Sequence, residues 1–255
     1  LNERRPAGTA DITDDALSLI ACPQIDVIVE VTGDPAVGIR HALAAIDAGK
    51  HVVMVNVEAD ALAGPLIAQR AREKGVVYSM AWGDQPALIA EHVDWARTCG
   101  FTVVCAGKGT RYMPAYHRST PETLWDILDK PKMFNSFIDG TKSGIEMTAV
   151  CNATGLHAQS DGLSFPPATR FEHAEICKPR SDGGVIEKKG VTEVTSSVYR
   201  DGRDVPHHLA MGTYVVIESD SAYARGCFRE YNMLQDTSGQ YAALYRPTHM
   251  IGLEL

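Results

Sequence analysis

Lys142 and Glu146 stand four residues apart in Asp139-Gly140-Thr141-Lys142-Ser143-Gly144-Ile145-Glu146. A helix that begins early in this stretch puts both on one face. A carboxylate and an ammonium converging on one substrate can polarise a carbonyl and exchange a proton with its oxygen. The plainer reading of the same spacing is a solvated helical ion pair. Asp84, in Gly83-Asp84-Gln85-Pro86, has three readings. It orients a substrate hydroxyl, holds a metal, or caps the helix that starts at Pro86. Lys108 and Arg111 sit in Gly107-Lys108-Gly109-Thr110-Arg111-Tyr112. This reads as a small, basic, flexible loop whose backbone amides could cradle a phosphate. Arg246 and His249 follow the last predicted strand, and Arg binds phosphate bidentately. Together these groups predict a small anionic or phosphorylated substrate, with ordinary surface or capping charges as the alternative for each.

These residues need a frame, and hydrophobic patterning supplies one. Residues 14–21 read as a short helix. Ile25 to Val31 is a β-branched run ending at Thr32-Gly33-Asp34-Pro35, which suits a strand covered on both faces of a parallel sheet. A helix over 36–48 closes at Gly49, a strand over 51–55 ends at Asn56-Val57-Glu58, a helix over 62–74 closes at Gly75, and a strand covers 76–80. This alternation predicts half of a doubly wound α/β sheet. Ligands bind such sheets at the carboxyl ends of the strands, where Thr32, Gly33, Asn56, Glu58 and Asp84 fall. Gly33 lets backbone approach a ring closely, and Asn56 offers both a donor and an acceptor. Beyond Asp84 the pattern predicts helices over 86–99, 120–128 and 144–155 and a strand over 101–106. Alternating segments over 191–199, 213–218 and 241–245 predict an antiparallel sheet.

The expected organisation is therefore α/β: a Rossmann-type parallel sheet over 1–82, then an α+β substrate and dimerisation domain over 83–250. Residues 251–255 read as the start of a further helix. The usual GxGxxG fingerprint is absent from these residues, so the first strand and phosphate loop are expected before Leu1. A net charge of −8 argues against nucleic acid or an anionic membrane as the main partner. No apolar run reaches the roughly 18 residues of a membrane span. The six cysteines are scattered without a CxxC pair, as expected of reduced thiols in a cytoplasmic protein. His117, His157, His173, His207 and His208 have no metal-ligand spacing.

Val29-Glu30-Val31-Thr32-Gly33 followed by Gly49-Lys50-His51-Val52-Val53 resembles the homoserine dehydrogenase superfamily. That resemblance implies that Thr32, Gly33, Asn56 and Glu58 lie beside a nicotinamide cofactor. NADP(H) is expected, with NAD the alternative, because the reader of the 2′-phosphate falls before or near Leu1, where Arg4 and Arg5 stand. The 139–146 segment resembles the family stretch carrying an acid, here Glu146, and a catalytic Lys four residues on. This chain has Val150 there, which cannot exchange a proton. The stretches Phe134 to Met147 and Tyr241 to His249 more closely resemble the deoxyxylulose-phosphate reductoisomerase-like (DRL-type) group, whose members often carry a C-terminal SAF-type domain. This implies rearrangement of 1-deoxy-D-xylulose 5-phosphate and NADPH-dependent reduction to 2-C-methyl-D-erythritol 4-phosphate. On that reading Lys142, Glu146 and Asp84 are catalytic, and Asp84 and Glu146 are the carboxylates to test for a divalent Mg²⁺ or Mn²⁺. Lys108, Arg111, Arg246 and His249 bind substrate, in a homo-oligomer. The alternatives are a homoserine dehydrogenase or related small-carbonyl reductase, and a non-catalytic nicotinamide-binding sensor.

Overall fold

The computed structural model describes residues 11–113 and 136–251. The helix expected over 120–128 and the arginines Arg4 and Arg5 lie outside the described residues. The chain divides into two units, Leu1–Met80 and Ala81–Leu255.

In the first unit, helix α1 (Ala16–Ala21) precedes β1 (Val27–Glu30), α2 (Pro35–Asp47), β2 (His51–Met54), α3 (Val57–Lys74) and β3 (Tyr78–Met80). The strands pair in parallel in the order β1-β2-β3, as the alternation of strands and helices requires. Asp34 caps α2 by accepting from the Val37 amide, and Pro35 occupies the first helical position. Asn56 caps α3, which therefore starts five residues before the predicted Leu62. Ile28, Val52 and Met54 face Ala42, Ile46 and Ile67 of α2 and α3 in one apolar core. The strands were expected to be covered on both faces, but only alternate residues of β1 are buried. Val27, Val29 and Val31 are exposed on the other side.

The second unit opens with α4 (Gln85–Thr98) and β4 (Thr102–Thr110), continues through α5 (Thr141–Thr154) and α6 (His173–Ile176), and adds β5 (Val191–Ser196) and β6 (Thr213–Glu218). It ends with α7 (Ala222–Glu230), β7 (Leu234–Gln235) and β8 (Tyr241–Arg246). The sheet order is β5-β4-β6-β8-β7. It is mixed rather than wholly antiparallel, because β5 returns after a long connection and pairs with β4 in parallel. The β4–β6, β6–β8 and β7–β8 pairs are antiparallel. One face packs Val103, Ala106, Val215 and Ile217 against Ile89 and Val93 of α4 and Met147 and Val150 of α5. The other packs Val104, Tyr214 and Val216 against Ala174 and Cys177.

Strand β4 overturns the expected flexible loop at Gly107–Tyr112, since it runs unbroken to Thr110 and is buried from Val103 onward. The glycines serve close packing. A Cβ on Gly107 would lie 1.8 Å from the Glu193 carbonyl oxygen, and one on Gly109 1.9 Å from that of Leu209. Glycine in a strand interior commonly marks such an approach of another backbone. Among the described residues, no helix is long and apolar enough to cross a membrane.

Candidate active site

Alternation along β4 puts Lys108 on the same face as Ala106, under α4 and α5. Its ammonium is buried and donates to Gln85 Oε1 at 2.6 Å and, in a very short contact, to Glu146 Oε2. Gln85 is held in turn, because its Nε2 donates to the Gly212 carbonyl at 3.2 Å. An ammonium has three donors, so these two bonds leave one N–H for the cavity beside it. That cavity, of about 360 Å³, is lined by Gln85, Lys108, Arg111, Glu146, Met211 and His249, among others. Its volume falls in the range of small-molecule sites, roughly 300–1,000 Å³.

The pairing replaces the one expected from spacing. Glu146 takes its cation from β4 and not from Lys142, although both sit on α5. Lys142 is half-buried and acts on Asp84 instead, where its charge favours the ionised carboxyl. Asp84 is the N-cap of α4, with Oδ1 2.8 Å from the Gln85 amide. Burial and the neighbouring Glu146 carboxylate nevertheless raise its pKa above the ordinary value. The helix-capping reading of Asp84 thus holds in a place that also borders Glu146. Val150, where the resemblance had led one to look for a lysine, is fully buried in the apolar core.

The expected phosphate clamp disperses. Lys108 is buried against Glu146, Arg111 pairs with Asp204 at 2.9 Å on the surface, and Arg246 lies 3.7 Å from Glu91 and over the Trp82 ring. Of these three, Lys108 and Arg111 line the cavity and Arg246 does not. His249 does line it, with Nδ1 2.8 Å from the Met211 carbonyl oxygen. Of the two carboxylates named for a divalent metal, Glu146 Oε2 is engaged by an ammonium and Asp84 Oδ1 by the Gln85 amide. Among the described residues, no three His, Cys, Asp or Glu side chains converge as a metal site.

A larger cavity, about 560 Å³, lies along another face of α5 and includes Tyr112, Met147, Cys151, Gln159 and Phe165. Its buried Gln159 is already satisfied, donating to Glu193 at 2.6 Å and accepting from the Glu187 amide at 3.0 Å. Among its described lining residues, neither acid, Asp139 or Asp161, is buried.

In the first unit, Thr32 and Gly33 form an exposed turn at the end of β1. Gly33 has φ +74°, and nothing lies within 4 Å of the position its Cβ would take. Open backbone at a strand's carboxyl end suits the approach of a flat cofactor ring. Glu58 is half-buried in the first turn of α3. Asn56 turns inward, where Oδ1 accepts from the Ala59 amide at 3.1 Å and Nδ2 donates to the Asp34 carbonyl at 2.9 Å. Its visible work is thus to brace the loops after β1 and β2 against each other, and not to offer both amide functions outward. Sequence reasoning passed over two residues here. Glu30 is buried with Oε2 lacking a partner among the described residues. Gly38 leaves room for it, since a Cβ there would sit 2.7 Å from both Glu30 Oε2 and Asn56 Nδ2. The available signal was a carboxylate inside the valine run of β1. Gln85 was missed as well, although it follows Asp84 directly.

Comparison with known families agrees with this architecture. Residues 83–255 match the family described as oxidoreductase DRL, catalytic domain. The chain belongs to the DRL oxidoreductase family. Residues 2–80 of this DRL chain match the homoserine dehydrogenase NAD binding domain. Homoserine dehydrogenase from Pseudomonas aeruginosa is 40% identical over 209 residues, 77% of this chain and 48% of that protein. A 1-deoxy-D-xylulose 5-phosphate reductoisomerase from Exiguobacterium sibiricum is 42% identical over 64 residues, 25% of this chain and 16% of that one. The DRL chain thus spans about half the length of the Pseudomonas relative, or less for the other. A hyperthermophilic archaeal homoserine dehydrogenase, solved in complex with NADPH, shares the fold with a TM-score of 0.51 at 11% identity, over 95% of this chain and 72% of that one.

Proposed function

We propose that the chain is the nicotinamide-binding and catalytic portion of an NADP(H)-dependent oxidoreductase that reduces the carbonyl of a small anionic substrate. The observation that carries this reading is the buried Lys108–Glu146–Gln85 cluster in the wall of a cavity of about 360 Å³. A buried ammonium with one uncommitted N–H is suited to bind a carbonyl oxygen and stabilise negative charge developing on it. Bound NADPH supplies the hydride. Glu146 and Gln85 hold the ammonium in place, and Phe137, Ile138 and Met211 add apolar surface to the cavity wall. Within this class, the reductoisomerase conversion of 1-deoxy-D-xylulose 5-phosphate is the first reading, supported by the DRL match. Homoserine dehydrogenase chemistry is the second, supported by 40% identity to the Pseudomonas enzyme.

The test is NADPH consumption by the full-length protein, followed by absorbance, with deoxyxylulose phosphate and aspartate semialdehyde run side by side. Turnover of the sugar phosphate, lost in Lys108→Met and Glu146→Gln, is the expected result. Turnover of the semialdehyde alone moves the assignment to the second reading. Turnover indifferent to both substitutions removes the cluster from the mechanism. Tight NADPH binding without turnover of any carbonyl points to a sensor.

A further inference from the structure

We propose that His249 is the proton-exchanging catalytic residue of this cavity, with Lys108 as a fixed cation and Gly83 and Met211 as the positioning elements. The inference rests on the carbonyl-reductase reading and assigns the one step that reading leaves open, the source of the proton.

The geometry separates the two basic groups. Lys108 is the counter-charge of the buried Glu146 carboxylate. Losing a proton would leave the Glu146 carboxylate buried without its counter-charge, an arrangement that is strongly unfavourable. His249 is half-buried, so it can recover a proton from solvent. Its Nδ1 faces the Met211 carbonyl at 2.8 Å. A carbonyl only accepts, so Nδ1 carries a hydrogen whether the ring is neutral or charged. Nε2 then becomes the exchanging atom, on a ring that lines the same cavity as Lys108, and it has no protein partner among the described residues.

The chain is brought there by a packing feature. Gly83 has φ +91°, and a Cβ on it would lie 2.6 Å from the Met250 carbonyl oxygen. The segment carrying His249 therefore closes directly on the turn that precedes Asp84, and His249 is one of the charges acting on Asp84. The charged groups around this ring are Asp84 at the start of α4, Lys108 and Arg111 at and after the end of β4, and Lys142 and Glu146 on α5.

The substrate's carbonyl carbon takes a hydride from the dihydronicotinamide, the C=O π bond breaks, and the oxygen takes the proton from imidazolium Nε2. Neutral His249, still protonated at Nδ1, is left behind and is recharged from water. In the oxidative direction Nε2 takes the hydroxyl proton as the hydride leaves for NADP⁺.

The experiment uses the full-length protein and has two readouts. Nitrogen-15 NMR of labelled histidine, assigned with His249→Gln, is expected to show His249 as the Nδ1–H tautomer when neutral. An Nε2–H tautomer overturns the assignment regardless of turnover. In kinetics, reduction needs a proton on Nε2, so kcat/KM is expected to fall on the alkaline side. His249→Gln is expected to lower kcat about 10²–10⁴-fold and erase that limb, with NADPH affinity unchanged. Gly83→Ala is expected to lower kcat in the same direction. Added imidazole is expected to restore part of the activity in His249→Gly, which a merely structural histidine would not permit. A His249→Gln enzyme with wild-type kcat and pH profile removes this assignment and leaves the carbonyl-reductase reading standing. A wild-type protein that binds NADPH but reduces no carbonyl removes both.

Discussion

Lys108→Met is the perturbation with the largest consequence for stability as well as chemistry. It keeps the stem length but removes the charge from a side chain that is 7% exposed, facing a carboxylate that is 5% exposed. Breaking a buried pair by deleting one partner costs about 3–5 kcal/mol, because the remaining charge stays desolvated. Gln85 Oε1 also loses its donor at 2.6 Å, a loss of about 1–3 kcal/mol on its own that overlaps the first. The single variant is therefore expected to lose about 3–5 kcal/mol. Lys108→Met combined with Glu146→Leu removes both charges and should regain most of it, giving a coupling of about 2–3 kcal/mol. The three tryptophans, Trp82, Trp95 and Trp125, all follow Met80 in the sequence, and the described Trp82 and Trp95 belong to the second unit, so urea unfolding followed by tryptophan fluorescence reports on that unit. A loss below about 0.5 kcal/mol, the size of an ordinary surface substitution, would falsify the view that this pair organises the cavity, as would single and double variants that simply add.

Three further outcomes are expected. Gly107→Ala forces a methyl into the Glu193 carbonyl, 1.8 Å away, and should destabilise the second unit by about 1–3 kcal/mol or more; an unchanged urea midpoint would show that β4 can move away at no cost. Val150→Lys should fail to create homoserine dehydrogenase activity and should instead sharply lower soluble yield, since position 150 is fully buried among apolar side chains; a stable, active variant would contradict this. His173 has its pKa lowered to about 4 by burial. The unfolded chain then binds the extra proton between about 6.5 and about 4, so this group's contribution is intact above that window and is lost as pH falls through it. The full loss is about 3 kcal/mol at 1.36 kcal/mol per unit; His173→Phe should flatten the acid limb of the stability curve, and an unaltered limb would assign acid unfolding to other groups.

The first unit was largely legible because its signals are local. A β-branched run, a capping Asp34-Pro35 and stop glycines at Gly49 and Gly75 each state a boundary in a few residues, and the structure shows the parallel alternation they imply. The second unit was read less well where local meaning and tertiary meaning diverge. Gly107 and Gly109 carry the composition of a loop, yet the missing side chains allow backbone to approach within a sheet. That need arises only from partners about 86 to 100 residues further along, Glu193 and Leu209. Helix α7 was missed despite Ser221, which caps it through the Ala224 amide, because it is only nine residues long, polar on average and carries Gly226 in its middle.

The site shows the same divide and explains why Lys142 was a reasonable but incomplete choice. Spacing on one helix can establish that Lys142 and Glu146 share a face, but it says nothing about a cation arriving from the sheet beneath. Lys108 lies 38 residues from Glu146 and 23 from Gln85 in sequence. Three elements must be in place before the cluster exists: α4 with its Asp84 cap, the glycine-flanked end of β4, and the first turns of α5. The cation that meets Glu146 comes from the strand because the helix position one turn after that acid, Val150, is committed to the core between α5 and the sheet. A lysine there would have to leave the core to be of use. A lysine on β4 needs only the flanking glycines that let its strand pack closely, and the same glycines that look like loop residues in the sequence are what put the ammonium into the cavity wall.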